Sequence, residues 1–147
     1  MANRKKPKDE LAVKYTVRVP EKTAIYFNHK FVQANLYREH KALSPIKKST
    51  FYNTVIMFSI HKILEKNNEI DVDKVKENVK ILNGYFTKSN CKNIISFRLK
   101  SDLNKDLIKW INFYSIYNVN DNLRNILLYA EAIDICKYID FTKSYIV

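Results

Sequence analysis

Two short stretches carry the side chains best suited to recognition. Val13–Lys22 reads VKYTVRVPEK and Asn93–Asp102 reads NIISFRLKSD. Each alternates apolar and polar residues, and each sets an Arg between two apolar neighbours. On an extended chain, Lys14, Thr16 and Arg18 share one face, with Val13, Tyr15, Val17 and Val19 on the other. In the second stretch Ile94, Ser96 and Arg98 share one face and Ile95, Phe97 and Leu99 the other. A guanidinium presents a planar fork of donors that can engage two acceptors at once, and a hydroxyl can donate or accept. No catalytic constellation accompanies them. The one glycine, Gly84, makes no phosphate cradle, and there is no nucleophile elbow or framed pair of carboxylates. His29, His40 and His61 lack metal-ligand spacing, and Cys91 and Cys136 form no CxxC pair. The expectation is a protein that is not an enzyme and uses no cofactor or metal.

The elements around these stretches follow from periodicity. Pro20 stops the first strand and suits the first turn of a helix. That helix carries Ile25 (or Thr23), Phe27, Phe31, Ala34 and Leu36 at helical spacing. Ala42–Ser49 is expected as a loop around Pro45. Ser49 or Thr50 then caps a second helix with Phe51, Val55, Phe58 and Ile63 as its stripe. Ile70, Val72, Val75, Val79 and Leu82 mark a linker helix ending at Gly84. After the second strand, Ser101 caps a helix with Leu103, Leu107, Trp110, Ile111 and Tyr114 on one side. A last helix begins near Asn120 and carries Leu123, Ile126, Leu127, Ala130 and Ile133. The aromatics Phe27, Phe31, Phe51, Phe58, Trp110 and Phe113 sit at helical spacing, which predicts core and not a base-stacking platform.

The order is strand–helix–helix, linker, strand–helix–helix, an internal duplication. At an offset of 80, Thr16 matches Ser96, Val17 matches Phe97, Arg18 matches Arg98 and Val19 matches Leu99; Phe27 and Phe31 match Leu107 and Ile111. The predicted divisions are a basic tail at 1–11, a first unit at 12–67, the linker at 68–90, a second unit at 91–140 and a tail at 141–147. A single strand with two helices leaves its backbone edges unpaired, so each copy needs the other. The 147 residues carry a net charge of +11: 14 Lys/Arg against 6 Asp/Glu in residues 1–69, and 12 against 9 in the rest. Such an excess points to nucleic acid or another anionic surface. No apolar run approaches membrane-spanning length, so a soluble, cytoplasmic protein without a membrane partner is expected.

KYTVRVP, the weaker IISFRLK and the turn YNVNDNLRNIL resemble the ribbon-helix-helix family of DNA-binding proteins, the Arc/MetJ/CopG type. The resemblance implies a mainly α fold with a short antiparallel β-ribbon, here a tandem copy forming a pseudo-dimer within one chain. It implies that the ribbon enters the major groove of double-stranded DNA, with Lys14, Thr16, Arg18, Ile94, Ser96 and Arg98 reading bases. Phosphates would be held by Ser49, Thr50 and Asn120 at helix starts, by Lys47 and Lys48, and by Arg4, Lys5 and Lys6 in the tail. The family's roles are transcriptional repression, plasmid copy control or partition, and service beside a relaxase at a transfer origin. They imply a bacterial or mobile-element-encoded protein that self-associates on repeated sites, with a relaxase or toxin as a protein partner. An antitoxin-like interaction module with secondary DNA binding is the alternative. The residues leave open whether the strands pair within one chain or between two.

Overall fold

The computed structural model describes residues 12–65, 91–114 and 119–143. The expected linker helix and the basic residues Arg4, Lys5 and Lys6 lie outside them. The chain forms strand β1 (Val13–Val19), helix α1 (Glu21–His40) and helix α2 (Lys48–Glu65). Strand β2 (Asn93–Leu99) follows, then α3 (Ser101–Tyr114), α4 (Val119–Ala132) and a 3-10 turn (Ile135–Tyr138). It is a mainly helical fold with one two-stranded antiparallel sheet.

The strands pair with each other, Val13 facing Leu99, Thr16 facing Ser96 and Val19 facing Asn93. A period of two then decides which side chains enter the core. Val17, Val19, Ile95, Phe97 and Leu99 are buried, and Val13 and Tyr15 half-buried. Lys14, Thr16, Arg18, Ile94, Ser96 and Arg98 are all exposed. Each strand runs straight into a helix. Pro20 is extended and its carbonyl takes the N–H groups of Thr23 and Ala24; the Lys100 carbonyl takes that of Asn104.

The core lies under the ribbon, built mainly by α2 and α4. Phe51, Val55, Ile56, Leu123, Ile126, Leu127 and Leu128 are fully buried, each worth about 1.5–3 kcal/mol over exposure. Phe51 sits edge-on to Phe27, Phe31 and Tyr52 and stacks on Phe141 at 5.3 Å, while Tyr52 stacks on Phe97 at 5.1 Å. Burial pushes the Tyr52 phenol well above its ordinary range. Phe141, in the segment expected as a tail, is part of this cluster, and its carbonyl accepts from the Arg38 guanidinium at 2.7 Å.

Several expectations need correction. In α1 it is Thr23 that faces inward, its hydroxyl donating to Glu131 Oε1 at 2.6 Å; Ile25 and Leu36 are 61% and 59% exposed. The α1 core face follows Thr23, Phe27 and Ala34, so Ile25 and Leu36 fall diametrically opposite at 100° per residue. In α2 the narrow stripe broadens to an unbroken buried run, Phe51–Ile56, because ribbon, α1 and α4 pack around it. Leu128, absent from the expected stripe of α4, is also fully buried. With glycine so scarce, Ala42 takes the left-handed turn that closes α1 (φ 57°), letting Leu43 N–H reach Arg38 O at 2.8 Å. Of the expected α3 stripe, Leu103 is half-buried; Leu107, Trp110, Ile111 and Tyr114 have side chains outside the described set.

Candidate nucleic-acid interface

The exposed ribbon face gathers the six side chains singled out from the sequence. Lys14 stands opposite Arg98, Thr16 opposite Ser96, and Arg18 opposite Ile94. Thr16 Oγ1 and Ser96 Oγ lie 3.4 Å apart across the middle. Thr16 therefore faces its own counterpart at the 80-residue offset, and the ribbon has a local two-fold axis at that pair. Lys14, Arg18 and Arg98 make no side-chain ion pair or hydrogen bond among the described residues. Lys14 and Arg98 are like charges held directly across the strands, an arrangement that costs folding energy. Three uncommitted cations and two hydroxyls, held on a sheet whose other face is core, form a rigid array able to bind a polyanion and to donate in a fixed pattern.

The helix starts behave differently from expectation. α2 begins at Lys48, so Ser49 and Thr50 lie inside its first turn and do not cap it. Lys47 holds the cap position, its carbonyl taking the N–H of Phe51 at 3.0 Å. Ser49 Oγ accepts the N–H of Arg98 at 3.1 Å, so this hydroxyl serves the ribbon edge and keeps its own proton to donate. Thr50 is half-buried, its carbonyl accepting from the Thr54 hydroxyl at 2.9 Å. The Ser49 bond nonetheless brings Lys47 and Lys48, both exposed, beside the Arg98 end of the ribbon. Asn120 is exposed and is the second residue of α4, which starts at Val119, one place before the expected start. Next to it Asp121 pairs with Arg124 at 3.3 Å, putting a carboxylate at this helix start.

Asn53 was not anticipated and is central to how the site is held. Its amide nitrogen donates to Ser49 O (2.6 Å) and Arg98 O (2.7 Å), and its oxygen accepts Lys100 N–H (2.9 Å). One buried side chain thus satisfies the free edge of β2 and locks the strand to α2. Asn125 takes the corresponding place in α4, four residues after Asp121 as Asn53 follows Ser49. It is as buried, yet among the described residues neither amide atom has a hydrogen-bond partner. The sequence offers a reason for the oxygen: Pro20 stands where the second copy has Lys100, and proline has no N–H to donate. A polar residue interrupting an apolar run was the available signal for both.

Tyr15 anchors the inner side, its hydroxyl donating to Asn104 Oδ1 at 2.5 Å, with burial raising its pKa. Among the described residues, no group of three or more His, Cys, Asp or Glu could hold a metal ion, and no helix is long and apolar enough to cross a membrane. Compared with known proteins, the chain matches no family model, no curated protein and no solved structure.

Proposed function

We propose that the chain is a sequence-specific, non-enzymatic double-stranded DNA-binding protein of tandem ribbon-helix-helix architecture, needing no cofactor. It lays its two-stranded ribbon in the major groove and acts as a transcriptional regulator or as an accessory factor of a plasmid or other mobile element. The observation that carries the reading is the outer face of the ribbon, where Lys14, Arg18 and Arg98 stand exposed, and without partners among the described residues, around the Thr16–Ser96 pair. The major groove admits a two-stranded ribbon, and a guanidinium there can bond guanine O6 and N7 together. Lys47 and Lys48, exposed beside the Arg98 end of the ribbon, add cations for phosphate contact at that end.

Competition between a selected site and random duplex, at two salt concentrations, tests this. Arg18→Ala and Arg98→Ala should each cut discrimination by about 1–3 kcal/mol, roughly 5- to 150-fold, while leaving the fold intact. Lys47→Ala or Lys48→Ala should weaken all sequences alike and lower the salt slope by about one. Unchanged binding in both arginine variants would defeat the reading.

A second reading, a protein-interaction module with secondary DNA binding, has one observation in its favour. Ile25, Val32 and Leu36 form an exposed apolar row along α1. An open groove of about 430 Å³ adjoins it, lined in part by Phe31, Leu43 and Pro45.

A further inference from the structure

The two ends of the ribbon are chemically unequal. Across the local two-fold at Thr16–Ser96, residue 14 corresponds to 94 and residue 18 to 98. One end presents Lys14 beside Arg98, both donors only. The other presents Arg18 beside Ile94, which is 55% exposed on this otherwise polar face. The helix starts are unequal in the same sense. α2, tied to β2 through the Arg98 N–H, brings Lys47 and Lys48 to the first end. α4, packed on β1, has Asn120 and Asp121 in its first turn, the latter paired with Arg124, and no lysine there.

Resting on the ribbon reading above, we infer that the target is a single non-palindromic duplex sequence, bound in one orientation by one chain. Its first half is guanine-rich, under Lys14 and Arg98; its second pairs a guanine with a neighbouring thymine, under Arg18 and Ile94. Two adjacent cations with no acceptor between them match base edges that offer acceptors, and guanine offers two in the groove. Placing acceptors there also relieves the cross-strand repulsion of Lys14 and Arg98. Ile94 has no donor or acceptor, so a polar base edge beneath it would lose water and gain nothing. The thymine methyl is the one apolar group the major groove displays. The lysines beside the first end add phosphate contacts to that half.

Selection of bound sites from a random duplex pool, with the wild type and with Ile94→Lys, tests the inference. Ile94→Lys lies on the solvent face and gives residue 94 the type found at residue 14, so the outer faces of the two strands become near-equal. The wild type should enrich a non-palindromic sequence, guanine-rich at one end. Ile94→Lys should enrich an inverted repeat and lower preference for the thymine roughly tenfold. A palindromic wild-type site, or one consensus shared by both proteins, overturns the inference and leaves the DNA-binding reading standing. Enrichment of no sequence by either protein overturns both.

Discussion

Asn53 and Asn125 show how differently one residue type can act at matching places on two helices. Asn53 bridges a helix and a strand edge through three hydrogen bonds; Asn125 is buried at the matching place with both amide atoms unpaired among the described residues. Removing one partner from a buried network strands the others, whereas removing an unsatisfied polar group removes a penalty. Asn53→Ala should therefore cost about 2–3 kcal/mol in denaturant unfolding. Asn125→Leu, which keeps the branched outline with more bulk, should cost much less, because losing the unsatisfied amide offsets the added volume. Equal losses in the two variants would mean Asn125 is satisfied after all. Asn53→Ala should also weaken discrimination at bases near Arg98, since the Arg98 carbonyl and Lys100 amide lose their anchor.

The 3-10 turn after α4 seals the far side of the core with a cluster that should stay uncharged. Burial pushes the Cys136 thiol up from about 9 to about 11. Tyr26, bonded to Asp134, and Tyr52 are held above their ordinary values, again chiefly by burial. In the unfolded chain these groups release their protons at lower pH than in the fold. The stability they confer is complete below about pH 9 and declines as pH rises from about 9 towards 11 and beyond. Unfolding followed across that range should show a plateau, then a fall of about 1.4 kcal/mol per pH unit for each proton lost only on unfolding. Cys136→Ala should make the early part of the fall shallower; an unchanged slope would exclude Cys136 as a contributor.

Across the molecule, the decisive contact is between β1 and β2, which lie some eighty residues apart in the sequence. Each strand covers the other's open edge, and α2 and α4 fill the space beneath both. Because the two halves are one covalent chain, neither has to find a partner in solution. Thermal unfolding should therefore occur at one temperature over a hundredfold range of protein concentration. A midpoint that climbs with concentration would show that the ribbon is completed between chains.

Much of this was legible along the chain. Strict alternation in Val13–Val19 and Asn93–Leu99, with Pro20 and Ser101 just beyond, determined both strands, their bounds and the face each side chain takes. That followed because strand periodicity is local and needs no neighbour. The six candidate readers were legible for the same reason. Helix faces were less so. A sequence shows apolar residues at helical spacing, but where two faces of α1 both carry them, as with Phe27 and Ile25, only packing decides which turns inward. The same holds for Ser49: its type suits a cap or a phosphate, and its place beside the Arg98 N–H gave it to the ribbon edge. Pairing of the strands within one chain, their register, and the meeting of Lys14 with Arg98 and Arg18 with Ile94 are long-range facts. No local pattern encodes them; they arise from the way two apolar strand faces close over one shared helical core.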